Sequence, residues 1–313
     1  MQKQPLISFI IPVYNTDSDA LRNCIDSIMA LSLSEQEREI IIIDDGSDMT
    51  PLNTLADIVN QILYIRQRNQ GPSLARNAAL KMATGQYVQF ISGDDMLLRA
   101  PYEHCLDIAR YHNPDVVLYN VTTDATSTET PFTYDGPKLG SDFLRNKSLR
   151  PNTFCFLFER KALGNIRFSP DIYHDNEYFA TQMLLRSERL YTTDSDAYYN
   201  SRTHSLASGV DSQSRNARLF ADTEQVLMRL QNLVVPESER AVLNRRIAQI
   251  TVDYLCSIIR LTHDRHLLND TIERLRNHGF YPLPDRDYSK KYKYYRKMLS
   301  NPITRRMLFF IVR

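Results

Sequence analysis

Several things are scarce in this 313-residue chain, and each scarcity narrows what it can be. No apolar run approaches the ~18–20 residues that a bilayer-spanning helix needs. Only four cysteines occur (Cys24, Cys105, Cys155, Cys256). They are scattered, with no C-x-x-C pair, so a zinc site of that kind is not expected. Without a basic-then-apolar leader, they point to a reducing cytosol. Excess charge is missing as well. Lys plus Arg is 38 and Asp plus Glu is 37, so no global field exists to hold nucleic acid. Neither G-x-x-x-x-G-K-S/T nor G-x-G-x-x-G is present, so P-loop and Rossmann dinucleotide readings lack their phosphate cradles. No internal repeat or low-complexity tract is visible. A 42% hydrophobic and 24% charged composition excludes wholesale disorder and collagen-like or coiled-coil chains.

What is present first is a rhythm. Ile7–Val13 is fully apolar, as expected of a strand inside a parallel sheet. Ala20–Leu31 has helical spacing, Glu39–Ile43 is a second strand, Leu52–Ile62 a helix and Ile62–Ile65 a third strand. Ser73–Met82 reads as a helix, Tyr87–Ile91 as a strand, Pro101–Tyr111 as a helix and Asp115–Asn120 as another strand. Such alternation predicts an open α/β sheet with short connections. Thr122–Gly140 reads as a loop or hairpin, Thr153–Glu159 as a strand, Tyr178–Leu185 as a helix, and Arg189–Thr192 and Ala197–Asn200 as short strands. From about Ser214 the pattern is helical: Ala217–Leu233, Pro236–Leu261 and Leu267–His278. The length fits one large domain with a smaller appendage, and the boundary is placed near residue 210.

In open α/β sheets ligands bind beyond the carboxyl ends of the strands. Those ends carry Pro12, Tyr14 and Asn15; Asp44, Asp45, Gly46 and Ser47; Gln70, Gly71 and Arg76; and Ser92, Gly93, Asp94 and Asp95. Polar and acidic groups therefore converge on one rim. Asp44-Asp45-Gly46-Ser47 also has the chemistry of an ordinary capped turn. Two carboxylates in Ser92-Gly93-Asp94-Asp95 repel unless a cation or donors lie between them, and a hard divalent cation on a diphosphate needs such an oxygen cluster. Ser73 is a candidate N-cap for a helix whose N-terminus, with Arg76 one turn in, could face phosphate.

Four blocks follow one another in order and spacing: Ile10-Ile11-Pro12-Val13-Tyr14-Asn15, Ile43-Asp44-Asp45-Gly46-Ser47, Gly71 to Ala75-Arg76-Asn77-Ala78, and Gly85-Gln86-Tyr87 to Ser92-Gly93-Asp94-Asp95. Together they resemble the nucleotide-sugar half of family 2 glycosyltransferases. The resemblance implies the GT-A fold, an open mixed sheet flanked by helices, over residues 1–210, with a helical C-terminal region over 211–313. It also implies an inverting enzyme of the bacterial polysaccharide type. By that likeness Pro12 and Tyr14 border a uracil and Asp45 hydrogen-bonds it. Arg76 lies near base or phosphates, and Asn15, Asp44, Ser92 and Arg202 complete the nucleotide set. Asp94, with Asp95 beside it, would hold Mg2+ or Mn2+. Family members usually read D-S-D-D where this chain has Ser92.

An inverting enzyme also needs a base for the acceptor hydroxyl. The family's His-Glu-Asp-x-x-Phe-like stretch corresponds to His174-Asp175-Asn176-Glu177-Tyr178-Phe179. Ungapped register on Phe179 puts Asn176 at the base position, where an amide cannot take a proton. Matching Tyr178-Phe179 makes Asp175 the expected base, with Glu177 the alternative. Arg202 and His204 match a loop that closes over the diphosphate.

The charge is segregated. After Asp287 no acid follows, but Lys290, Lys291, Lys293, Arg296, Lys297, Arg305, Arg306 and Arg313 do, leaving the preceding residues at −7. With Tyr288, Tyr292, Tyr294 and Tyr295 interleaved and an apolar Met307–Val312 beyond, residues 288–313 suit an anionic membrane surface. A solvated helix with a docked end is the plainer reading. Nucleic acid leaves the acidic rim unexplained. The expectation is thus a UDP-sugar-dependent transferase acting on a glycan or lipid-linked glycan hydroxyl, cytoplasmic or peripheral on the inner membrane face. Its rivals are a catalytically silent nucleotide-sugar-binding protein and a nucleotidyltransferase.

Overall fold

Six of the seven residues of Ile7–Val13 are buried, so this apolar run belongs inside a sheet, with strands on both sides. The computed structural model describes residues 4–126, 131–147, 149, 155–201 and 212–311. Its first half alternates β1 (Ile7–Val13), α1 (Ser18–Met29), β2 (Arg38–Asp44), β3 (Leu63–Arg66), α2 (Pro72–Met82) and β4 (Tyr87–Phe90). There follow β5 (Met96–Leu97), α3 (Arg99–His112), β6 (Val116–Leu118), β7 (Val121–Thr122), β8 (Tyr134–Lys138), α4 (Gly140–Asn146), β9 (Phe156–Glu159), α5 (Asn176–Arg186), β10 (Leu190–Thr193) and β11 (Tyr198–Tyr199). The main sheet runs β3-β2-β1-β4-β9-β6-β10-β8, and a small second sheet runs β5-β11-β7. β3, β2, β1 and β4 are mutually parallel, while β9 is antiparallel to both β4 and β6. This is the mixed α/β sheet that the sequence leads one to expect.

Helix α1 shows why these elements form. Asp17 accepts the Ala20 N–H at 2.9 Å, and Leu21, Cys24, Ile25 and Ile28 fall on one buried face. Two segments differ from the sequence reading. Residues 52–62 form 3-10 turns at Pro51–Leu55 and Val59–Gln61 rather than an α-helix. Leu52, Leu55 and Ile58 are spaced by three, which suits the tighter turn, and Leu55 and Ile58 are the buried ones. Within the stretch read as loop or hairpin, β8 pairs antiparallel with β10 at the sheet edge, where Pro137 needs no ladder donor.

The chain divides into two compact units, residues 1–140 with 150–210, and residues 141–149 with 211–313. The second unit contains α6 (Ser212–Gln231), α7 (Glu237–Thr262), α8 (Arg265–Asn277), α9 (Lys290–Ser300) and α10 (Pro302–Ile311). Long α7 is its spine, burying Leu243, Ile250, Leu255, Ile258 and Ile259. Arg245, only 4% exposed, holds segment 141–149 here by donating to the Leu144 carbonyl and to that of Lys147 at 2.8 Å. It also donates to the Tyr288 carbonyl at 3.3 Å. These bonds satisfy carbonyls that the end of α4 leaves open. Arg245→Ala should therefore destabilise this unit by about 2–4 kcal/mol, seen as a lower urea midpoint in helical circular dichroism.

Candidate functional site

Strand register brings the polar turns together. Val13 is opposite Asp44, Asp44 is opposite Arg66, and Ile10 is opposite Phe90, so four neighbouring parallel strands end along one rim. A cleft of about 410 Å3 lined by Pro5, Arg38, Glu39, Ile40 and Leu63 lies at the amino ends of β1–β3, away from these carboxylates.

At the end of β1, Pro12 is half-buried and Tyr14 is 45% exposed. Asn15, with φ 48, donates its backbone N–H to Ser47 Oγ at 3.0 Å. Its side-chain amide exchanges two hydrogen bonds with Asp48. Asn15 thus ties the first turn to the second, with both its amide nitrogen and its amide oxygen engaged by Asp48.

Asp44 is fully buried and accepts from the Ser47 N–H at 2.8 Å and the Tyr64 hydroxyl at 2.6 Å, with Arg66 Nε at 3.6 Å. Burial alone would push its carboxyl up; the Tyr64 and Ser47 hydrogen bonds and the Arg66 charge outweigh it and hold it below the usual carboxylate range. Its role is to hold the turn. Asp45 takes Gln67 Nε2 at 2.8 Å and Gln70 N–H at 3.0 Å on Oδ1, and Gly71 N–H at 2.7 Å on Oδ2. A carboxylate has about four lone-pair sites, so these three bonds leave one on Oδ2 unused, on a side chain that is only 4% exposed. Gly46 is needed between Asp45 and Ser47. Its φ is +80, and a Cβ there would meet the Asn69 backbone nitrogen at 2.8 Å. Gly46→Ala should cost about 1–3 kcal/mol and push the 67–71 loop outward, seen as a lower melting temperature.

Helix α2 starts at Pro72 with Gly71 as its N-cap. Ser73, the cap expected from sequence, instead donates its hydroxyl to the Ile172 carbonyl at 2.6 Å. Asn77 exchanges hydrogen bonds with the Phe168 backbone, donating to its carbonyl at 2.8 Å and accepting from its N–H at 3.0 Å. Arg76 is half-buried, lies 5.3 Å over the Phe168 ring and donates to Asn176 Oδ1 at 3.3 Å. Desolvation presses its guanidinium down to about 10, with Tyr173, Tyr198 and Asp175 opposing, so it stays charged at neutral pH. This block therefore carries the segment leading into α5. That segment is further locked by Phe179, which stacks on Phe168 at 4.1 Å.

Asp175, the expected base, is fully buried, and its Oδ2 accepts the Ser169 N–H at 2.5 Å. Its side chain points inward to brace residues 169–175, and it does not cap α5. Glu177, half-buried in the first turn of α5, is the carboxylate with access to solvent.

In the turn after β4, Ser92 donates its hydroxyl to Asp94 Oδ1 at 2.8 Å, and both are half-buried. Asp95 differs from its expected role beside a cation. It is 2% exposed and accepts from the Tyr198 hydroxyl at 2.7 Å, Ser201 N–H at 2.9 Å and Asn200 Nδ2 at 3.3 Å. Burial pushes its carboxyl up to about 6 against the pull of those bonds. Tyr198 also accepts the Ser92 N–H at 3.2 Å, so one tyrosine joins both ends of the turn. Tyr198, Asn200 and Ser201 escape a sequence reading because they lie more than 100 residues away, and only the pairing of β11 with β5 brings them near. Arg202 and His204 lie outside the described residues.

Among the described residues no group of three or more His, Cys, Asp or Glu could hold a metal, and no helix is long and apolar enough to cross a membrane. The Ser92–Asp95 turn nevertheless fits a hard cation in one way. It presents a single half-exposed carboxylate, and Mg2+ or a similar ion typically takes one or two carboxylates and completes its shell with phosphate oxygens and water.

Comparison with known proteins gives the same picture. Residues 8–167 match the family described as glycosyl transferase family 2. The uncharacterized glycosyltransferase YibD of Escherichia coli (strain K12) is 28% identical over 211 residues, spanning 61% of this chain and 60% of YibD. Two solved structures share the fold. One is Staphylococcus aureus TarS 1–349 in complex with UDP-GlcNAc, with a TM-score of 0.65 and 17% identity over 97% of this chain and 88% of that one. The other is the mannosyltransferase PcManGT of Pyrobaculum calidifontis in complex with GDP-Man and Mn2+, with a TM-score of 0.59 and 14% identity over 98% and 88%. With just over half its length matched to the family and its rim built as the four sequence blocks require, the chain belongs to glycosyl transferase family 2.

Proposed function

We propose that this protein transfers a sugar, with inversion, from a UDP-sugar to a hydroxyl of a glycan or lipid-linked glycan. The observation that carries the reading is the alignment of the Tyr14, Asp44–Ser47, Gln67–Gly71 and Ser92–Asp95 turns at the ends of four adjacent parallel strands. Exposed Tyr14 offers a face for the base, and Asp45, 4% exposed, holds the Gln67–Gly71 turn beside it and keeps one Oδ2 lone pair that a base N–H would have to reach. Arg76 supplies a fixed positive charge beside the α5 entrance. Asp94 would hold the divalent cation, Mg2+ or Mn2+, with Asp95 behind it fixing the turn. When bound, the ion supplies charge neutralisation for the departing diphosphate. The acceptor oxygen attacks the anomeric carbon from the face opposite the nucleotide, the bond to the diphosphate oxygen breaks, and the acceptor proton passes to a carboxylate. Exposure favours Glu177 for that base, with Asp175 as the brace beneath it.

The test is a thermal-shift panel of UDP-sugars and GDP-mannose with and without Mn2+, since a ligand stabilises in proportion to its occupancy. At least one UDP-sugar should raise the melting temperature and, with acceptor glycans, release UDP. Stabilisation by GDP-mannose alone would overturn the uridine assignment. Tight binding without turnover across an acceptor panel would favour the silent binding protein.

A further inference from the structure

Helix α10 of the second unit is anchored on one side and bare on the other. Leu308 is fully buried, and Arg305 donates to the Leu299 carbonyl at 3.0 Å and to Asn269 Oδ1 at 3.0 Å. Ile303, Met307, Phe310 and Ile311 are 75%, 52%, 76% and 48% exposed. They recur at i, i+4, i+7 and i+8, so they form one solvent-facing apolar stripe, with exposed Arg306 alongside. Helix α9, one residue upstream, is amphipathic in a different sense. It buries Tyr292 and Leu299 and exposes Lys290, Lys293, Tyr294 and Lys297 at i, i+3, i+4 and i+7. Lys291, Lys293 and Arg296 pair with Asp253, Asp287 and Asp285. Among the described residues Lys290, Lys297 and Arg306 form no salt bridge, Lys297 acting on Asp287 only through its charge.

We propose that α9 and α10 form a docking surface for an anionic lipid bilayer. The α10 stripe enters the boundary between headgroups and acyl chains while the free cations meet lipid phosphates. Over its ten described residues α10 is about 15 Å long, enough to lie in that boundary. Charge complementarity selects this occupant, since neither α9 nor α10 contains an acidic residue. A second copy meeting this face would set lysine against lysine. A polyanion such as RNA would leave the apolar stripe uncovered. The surface does not depend on which sugar the first unit handles, or on whether it transfers one.

Sedimentation of the full chain with vesicles tests it. Binding to vesicles with about 30% phosphatidylglycerol should be at least about tenfold tighter than to neutral phosphatidylcholine, and should weaken as salt rises from about 0.1 to 0.5 M. The surface variant I303S/F310S should bind anionic vesicles about tenfold more weakly, and K290Q/K297Q should lose most of the preference for anionic lipid. Both should keep the parent's nucleotide-sugar thermal shift, so a failure here is separable from a failure of the transferase reading. The proposal is overturned if the parent stays in the supernatant, or if I303S/F310S binds as the parent does. It is equally overturned if light scattering shows a parent dimer that I303S/F310S splits.

Discussion

Asp94→Ala is expected to cut sugar transfer by about 10²–10³-fold while leaving the melting temperature of the free protein nearly unchanged. The separation follows from how the turn is built. Gly93 is packed so closely that a Cβ would meet Val13 Cγ1 at 3.1 Å, and Asp95 is clamped by Tyr198, Asn200 and Ser201. Those two neighbours fix the backbone, and Asp94 is left as the half-exposed carboxylate of the turn, with Oδ1 on the Ser92 hydroxyl. Removing it takes away negative charge where a cation and a diphosphate would meet, without opening a buried hole. Asp95→Ala should do the reverse. It strands several buried donors and lowers stability by about 2–4 kcal/mol before any effect on chemistry is read. Measuring UDP release against Mn2+ concentration, with melting curves for both variants, separates the two roles. Transfer by Asp94→Ala within about threefold of the parent would remove the cation from the mechanism proposed here.

The rim was legible because each of its turns is local. Apolar runs such as Ile7–Val13 and Arg38–Asp44 announce buried parallel strands, and whatever follows them must lie at a strand end. Asp44 and Asp45 could be placed there from sequence, but not told apart. Which one closes the turn and which holds the 67–71 loop depends on Tyr64 and Gly71, contributed by other elements. The same limit explains Ser73 and Asn77. Their spacing reads as a helix start, whereas their partners, Ile172 and Phe168, are more than 90 residues along the chain. The 3-10 turns after Pro51 were missed because six apolar residues in eleven fit a helical period as well as a three-residue one, and only burial of Leu55 and Ile58 decides. Long-range partners, not local propensity, decided the remaining assignments.

Glu177→Gln should lower kcat by about 10²–10³-fold with little change in KM for the donor, and with the fold intact. The likeness to the family puts an amide, Asn176, where a base is usually found, so in the proposed mechanism a neighbouring carboxylate takes the proton. Aromatic register alone favours Asp175. The structure argues for the other neighbour. Asp175 lies beneath the surface with Oδ2 on the Ser169 N–H, whereas Glu177 stands in the first turn of α5, held in place by the stack of Phe179 on Phe168. A side chain that must take a proton from an incoming hydroxyl needs a path to it, and among these two Glu177 has the exposure. Asp175→Ala should instead leave a buried N–H without its acceptor and lower stability by about 1–3 kcal/mol, with activity following the folded fraction. The isosteric pair gives the sharper comparison. If Asp175→Asn abolished kcat at an unchanged melting temperature while Glu177→Gln stayed active, the base would be Asp175, and the segment around Ser169 would have to open before each turnover. A parallel loss of kcat in both variants would overturn the assignment of the base to Glu177 alone.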